Sequence, residues 1–202
     1  MFSRLRGVAL AVAAMWLAAG SGEAEPPVNE RARLLQEFSD RAKKYVELHE
    51  KMAATLPPVP DKAEPEQITA HQKALAKAIR TSRAQAAQGE ILFPEVVPVF
   101  LELLRSELKG PQARDARATI KEGNPRVEKP TAPPGEAKPK EVVLVVNAPY
   151  PEGAPLSSVP PDILAKLPKL PKPLEYRFVG GHLILHDSDA SLVVDFLKEI
   201  VA

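Results

Sequence analysis

Histidines are the most chemically versatile side chains here, standing at His49, His71, His182 and His186. His182 and His186 sit four apart, so a strand would carry both on one face with Ile184 between them. At the usual rise per residue their Cα atoms stand about 13 Å apart, too far for both to grip one ion. They are the sequence's metal-ligand candidates. The favoured alternative is a solvent-facing His186 paired with Glu175, and Asp187 and Asp189 are expected to make a turn.

His49-Glu50 opens the His-Glu-x-x-His pattern of zinc peptidases, but Ala53 occupies the second ligand position. His49 falls instead on a helical apolar stripe, where it packs. An antiparallel hairpin could bring His71 towards it, yet two histidines without a third ligand do not define a metal site. The serines lack a Gly-x-Ser-x-Gly elbow, and there is no glycine-rich phosphate loop. No cofactor is implied, and no catalytic residue stands out.

There is no cysteine, which excludes disulfide staples, thiolate catalysis and cysteine-ligated zinc. The start of the chain is more informative. Arg4 and Arg6 precede an apolar run from Val8 to Ala19, and Gly22-Glu23-Ala24 offers small residues for peptidase recognition. The run is shorter than the roughly 20 apolar residues that span a bilayer. Residues 1–24 are therefore expected to be a signal peptide cleaved after Ala24, leaving no stable membrane anchor. What remains is balanced in charge, without the basic footprint of a nucleic-acid binder.

The elements that must position these residues follow from periodicity. Asn29 can cap a helix running from Glu30 to about Thr55, with Leu35, Phe38, Ala42, Tyr45, His49, Met52 and Leu56 on one face. Pro57-Pro58 stops it. A second helix is expected from Pro65 to Gln88, with Ile68, Leu75, Ile79 and Ala86 inward and Gly89 at its end. A third spans Pro94 to Leu108, and Gln112 to Glu122 adds a short polar helix. Together these make a helical domain over 28–122, a hairpin or three-helix bundle.

Residues 123–140, rich in proline and charge, read as a flexible linker. Beyond it, 141–202 reads as a small β-rich domain. Glu141–Asn147 is expected to be a strand, and Pro160–Leu167 a helical turn or two. Leu174–Val179 and His182–Asp187 flank Gly180-Gly181 as a hairpin, pairing Tyr176 with Leu185, Phe178 with Leu183 and Glu175 with His186. Leu192–Leu197 supplies a third strand. The fold class is thus α+β, with a small antiparallel sheet at the C-terminus; whether the two halves dock is open.

The run from Val159 to Leu197, with proline-leucine repeats, an aromatic strand, a glycine turn and closing Val194-Asp195-Phe196-Leu197, resembles the C-terminal module of RcnB-like and CigR-like exported bacterial proteins. The resemblance implies an envelope protein, and its RcnB branch implies nickel and cobalt homeostasis. This chain lacks the histidine-rich N-terminal segment of the metal-associated members. The reading that follows is a noncatalytic exported interaction or structural protein, periplasmic or extracellular, with an envelope protein as partner. A metal-homeostasis accessory is the alternative, and a hydrolase ranks third.

Overall fold

The computed structural model describes residues 29–109, 113–122, 143–150, 159–179 and 181–200. The expected signal segment and linker lie outside these. The described residues form a mixed α+β fold, with helices first and a three-stranded antiparallel sheet at the C-terminus.

Helix α1 spans Glu30–Ala53. Asn29 starts it, its side-chain oxygen accepting from the Arg31 N–H at 3.0 Å and satisfying one orphan donor of the first turn. Its buried stripe is Leu34, Phe38, Ala42, Tyr45, Val46 and His49, at steps of three and four. Its exposed face is laced with ion pairs such as Arg41–Glu37 at 2.6 Å, each of modest worth in water.

Helix α2 spans Pro65–Ser82 and buries Leu75 and Ile79. Two expectations fail here. Ile68 is 53% exposed rather than inward, because residues 65–70 are exposed throughout and find no core to enter. The helix also stops at Ser82, well short of Gln88. Arg83 leaves the helix at φ −110° and is drawn under the fold by side-chain bonds described below. Gly89 therefore serves not as a helix end but as a loop residue at φ +86°, a conformation that favours glycine.

Helix α3 (Val97–Lys109) and α4 (Ala113–Glu122) pack on one another, with Leu104, Leu108 and Ile120 buried. Pro98 sits in the first turn of α3, where its missing N–H costs nothing. The short α5 (Pro161–Lys166) packs against α3, and Lys166 pairs with Glu107 across that contact.

Strands β1 (Leu174–Val179), β2 (His182–Asp187) and β3 (Leu192–Leu197) lie in chain order. The hairpin register is the expected one, with Tyr176 opposite Leu185 and Glu175 opposite His186. A bulge between Leu185 and His186 shifts the β2–β3 register by one residue.

Residues 143–146, expected as part of a strand, form none. Pairing is confined to an isolated bridge, Pro149 to Leu192, flanked by bonds from Asn147 N–H to Val193 and from Tyr150 N–H to Ser191. Asn147 in the left-handed region (φ 62°) and Pro149, which has no N–H, interrupt any longer ladder.

The helices and the sheet meet in one core. Phe38 of α1 contacts Phe100 of α3 edge-on at 4.9 Å between centroids, and Phe100 reaches Tyr176 of β1 at 6.3 Å. Phe178, Leu183, Leu185 and Leu192 complete that side of the sheet. The opposite side carries Val179, Ile184, Val193 and Phe196, covered by Leu144, Val146 and Tyr150. This second cover explains why all six β3 residues are buried. It also buries His186, which was expected to face solvent.

Candidate functional site

Two aspartates are buried completely, and both lie on the strands that the helices cover. Asp187 ends β2. Its Oδ2 accepts from the Tyr45 hydroxyl at 2.6 Å and from His49 Nδ1 at 2.7 Å. Its Oδ1 accepts from the backbone N–H groups of Asp189 and Ala190, at 3.0 and 2.9 Å. A carboxylate has no proton to give, so Nδ1 must carry one. The far ring nitrogen of His49 lies 3.8 Å from the exposed carboxylate of Asp189. The histidine is thus held between two acids.

These contacts move the ionisations in opposite senses. Burial pulls His49 down, but the hydrogen bond and charge of Asp187, reinforced by Asp189 and Glu50, outweigh it and raise its pKa above the usual imidazole value. Burial pushes Asp187 up, but bonds from His49, Tyr45 and the Ala190 N–H prevail and hold it below the usual carboxylate value. Tyr45 is driven well above the ordinary phenol range, first by burial and then by the Asp187 charge. The phenol is a permanent donor, not a base.

The signs fix a pH window. A raised His49 contributes fully below its unfolded value of 6.5, and that contribution is lost as pH climbs through the folded value. A lowered Asp187 contributes fully above its unfolded value of 3.8, and that contribution is lost as pH falls through the folded value. Stability should therefore be greatest between these limits and fall on the alkaline side. Urea midpoints measured across the pH range check this. In His49→Phe the decline that sets in above pH 6.5 should vanish, leaving only the loss above pH 10 that the buried tyrosines cause; an unchanged decline near neutrality would assign it to another group.

Asp195, on β3, does a parallel job. Its Oδ1 accepts from the N–H of Gly89 at 3.0 Å and of Phe196 at 2.8 Å. Its Oδ2 accepts from the N–H of Ile91 and of Leu92, both at 2.9 Å. One carboxylate thereby satisfies three amides of the loop that joins α2 to α3. Sequence reading passed over this residue. Its signal was an acid inside the otherwise apolar run Leu192-Val-Val-Asp-Phe-Leu197.

Arg83 is the third buried charge. Its two terminal nitrogens donate to Asn147 Oδ1 and Glu90 Oε2, each at 2.7 Å. Its guanidinium also lies 4.9 Å from the centroid of the Tyr45 ring. Asn147 answers by donating its amide to the Arg83 carbonyl at 2.8 Å. This double clasp ties segment 143–150 to the end of α2.

The metal candidates have other employment. His182 Nδ1 accepts from the Glu199 N–H at 2.9 Å, and burial lowers its pKa. His186 Nδ1 bonds Glu175 at 2.8 Å, as expected, while Tyr150 stands edge-on to its ring at 4.9 Å between centroids. Its Nε2 is buried without a hydrogen-bond partner among the described residues. Those residues bring no three His, Asp or Glu side chains together around a site for a metal ion. Saturating nickel or cobalt should leave the melting temperature unchanged. A bound ion at a hundred times its Kd would add about 2.7 kcal/mol, so a clear rise would reinstate the pair.

A broad concavity lies elsewhere. A groove of about 1620 Å³ runs between α1 and residues 81–91, lined by Gln36, Asp40, Lys44, Gln85 and Gln88 among others. No helix among the described residues is long and apolar enough to cross a membrane. Set beside protein-family models, curated proteins and solved structures, the chain matches none of them, so its function must be argued from these contacts.

Proposed function

We propose that this chain is a noncatalytic exported protein of the bacterial cell envelope that works by holding a macromolecular partner. The observation that carries the reading is the division of its polar groups. Asp187 and Asp195 spend all four of their oxygens on internal hydrogen bonds, to α1, to the turn after β2, to the loop that follows α2 and to the Phe196 amide. An open groove, by contrast, presents exposed side chains such as Lys44 and Gln85. At about 1620 Å³ the groove exceeds the few hundred to about 1,000 Å³ typical of small-molecule pockets, and suits an extended segment of another protein. The amino-terminal apolar tract and Ala24 supply the export address.

A photo-crosslinking residue at Lys44 or Gln85, in the groove, should yield a discrete adduct in cells. The same residue at Arg105, on the exposed side of α3, should not. The mature protein should begin at Glu25 and fractionate with the envelope. Equal labelling from all three positions, or an intact Met1 in the cytosol, would overturn the reading.

A further inference from the structure

A second concavity adjoins the groove at Arg83, between the last turns of α2 and residues 145–149. It encloses about 470 Å³, within the range of small-ligand sites. Its lining includes Lys77, Arg80 and Arg83 and, among the described residues, not one acidic side chain.

Composition makes this unusual for the molecule. The sequence has no acidic residue between Glu66 and Glu90, so α2 cannot neutralise its cations in the way α1 does. On α1, Arg33, Arg41 and Lys43 each lie within 4 Å of Glu30, Glu37 or Asp40. Lys77 and Arg80 are exposed and carry no ion pair among the described residues. A helix end favours nearby cations through its dipole, which accounts for Arg80 in the last turn but not for a walled cleft around it.

The wall is built. Arg83 is fixed by Asn147 and Glu90, and Asn147 returns a bond to the Arg83 carbonyl. Since Glu90 balances Arg83, the uncompensated charge of the cleft among the described residues is that of Lys77 and Arg80, two units. Val145, 56% exposed, and Pro149 form an apolar side.

We infer that this cleft binds a phosphate monoester, its dianionic phosphate against Lys77 and Arg80 and its organic part against Val145 and Pro149. A phosphate dianion meets both cations with three acceptor oxygens, and guanidinium takes it through paired N–H donors. A single carboxylate would leave one cation unmatched. The ester is either a free metabolite or a lipid headgroup of the same chemistry. The cleft-specific residues Lys77 and Arg80 do not line the larger groove, so partner binding there and phosphate binding here fail independently.

The test is calorimetric titration of the mature chain with glycerol 3-phosphate at low ionic strength. Binding should weaken about tenfold or more in Lys77→Gln/Arg80→Gln, the scale expected from losing two charge-assisted contacts. It should persist in Lys62→Gln/Lys73→Gln, which removes the same charge from exposed positions outside the cleft. All four side chains are exposed, so both variants should keep the parent circular dichroism and melting temperature. Sedimentation with phosphatidic acid vesicles, against phosphatidylcholine vesicles, separates the sources. Vesicle binding that the cleft variant abolishes supports a lipid headgroup; binding of the soluble ester alone supports a metabolite. Equal weakening in both variants, tighter binding of butyrate or hexaglutamate than of the ester, or no binding of ester or vesicles would overturn the inference.

Discussion

Replacing Asp195 with alanine should cost about 3–5 kcal/mol, since it strips an acceptor from buried amides worth roughly 1–3 kcal/mol each when unmet. Its four donors are the N–H groups of Gly89, Ile91, Leu92 and Phe196. The individual penalties will not sum, because the freed loop can relax towards water. A domain of this size holds about 5–15 kcal/mol in all, so the variant should unfold at markedly lower urea. The damage should be local first. In native-state hydrogen exchange, the Ile91 and Leu92 amides should lose protection ahead of those in β2. Asp195→Asn is the informative companion. Its amide retains one acceptor oxygen but turns an NH2 towards two N–H donors, so it should fall between parent and alanine. A change below about 1 kcal/mol for Asp195→Ala would mean that water already serves the loop.

Asp187→Ala should be comparably severe, at about 3–5 kcal/mol, the usual result of removing one member of a buried charged pair. It strands the Tyr45 hydroxyl, a histidine with a raised pKa, and two backbone amides. Much of the penalty belongs to the partners left behind, and a double-mutant cycle exposes that share. In a His49→Phe background, Asp187→Ala should cost about 1.5–3 kcal/mol less, because no buried ring N–H is then left without its acceptor. Purely additive effects would show that His49 and Asp187 do not act as a pair. Tyr45→Phe should be milder, near 1 kcal/mol, since it removes one neutral donor and keeps the ring under Arg83.

The local parts of this architecture were legible in the sequence. The β1–β2 register follows from two six-residue strands around Gly180-Gly181, and α1 from its stripe and Asn29 cap, because both are set by neighbours in the chain. His49 was legible as a packing residue, and Asp187 as a turn former. Each rests on a pattern a few residues long. What the sequence could not convey is that these two meet, 138 positions apart, or that Asp195 holds a loop 103 to 106 positions away. A buried acid declares itself only through donors that the fold brings to it.

The errors have the same origin. Helix α2 was expected to reach Gln88 because its residues favour helix, but the Arg83 bonds to Asn147 and Glu90 override propensity. His186 was expected to face solvent because the outer side of a small sheet usually does. Leu144, Val146 and Tyr150 cover it instead. Of the strand expected over 141–147, the described residues 143–147 form none; the one bridge falls at Pro149, and Asn147 and Pro149 cannot sustain a ladder.

Helices and sheet share one core and should stand or fall together, pinned by two internal carboxylates. Urea unfolding of the mature chain, followed through the amide resonances of Leu75 in α2 and Leu185 in β2, tests it most directly. One shared midpoint, displaced equally for both residues by Asp195→Asn, is the predicted result. Two separate transitions, with only one moved by the substitution, would contradict it.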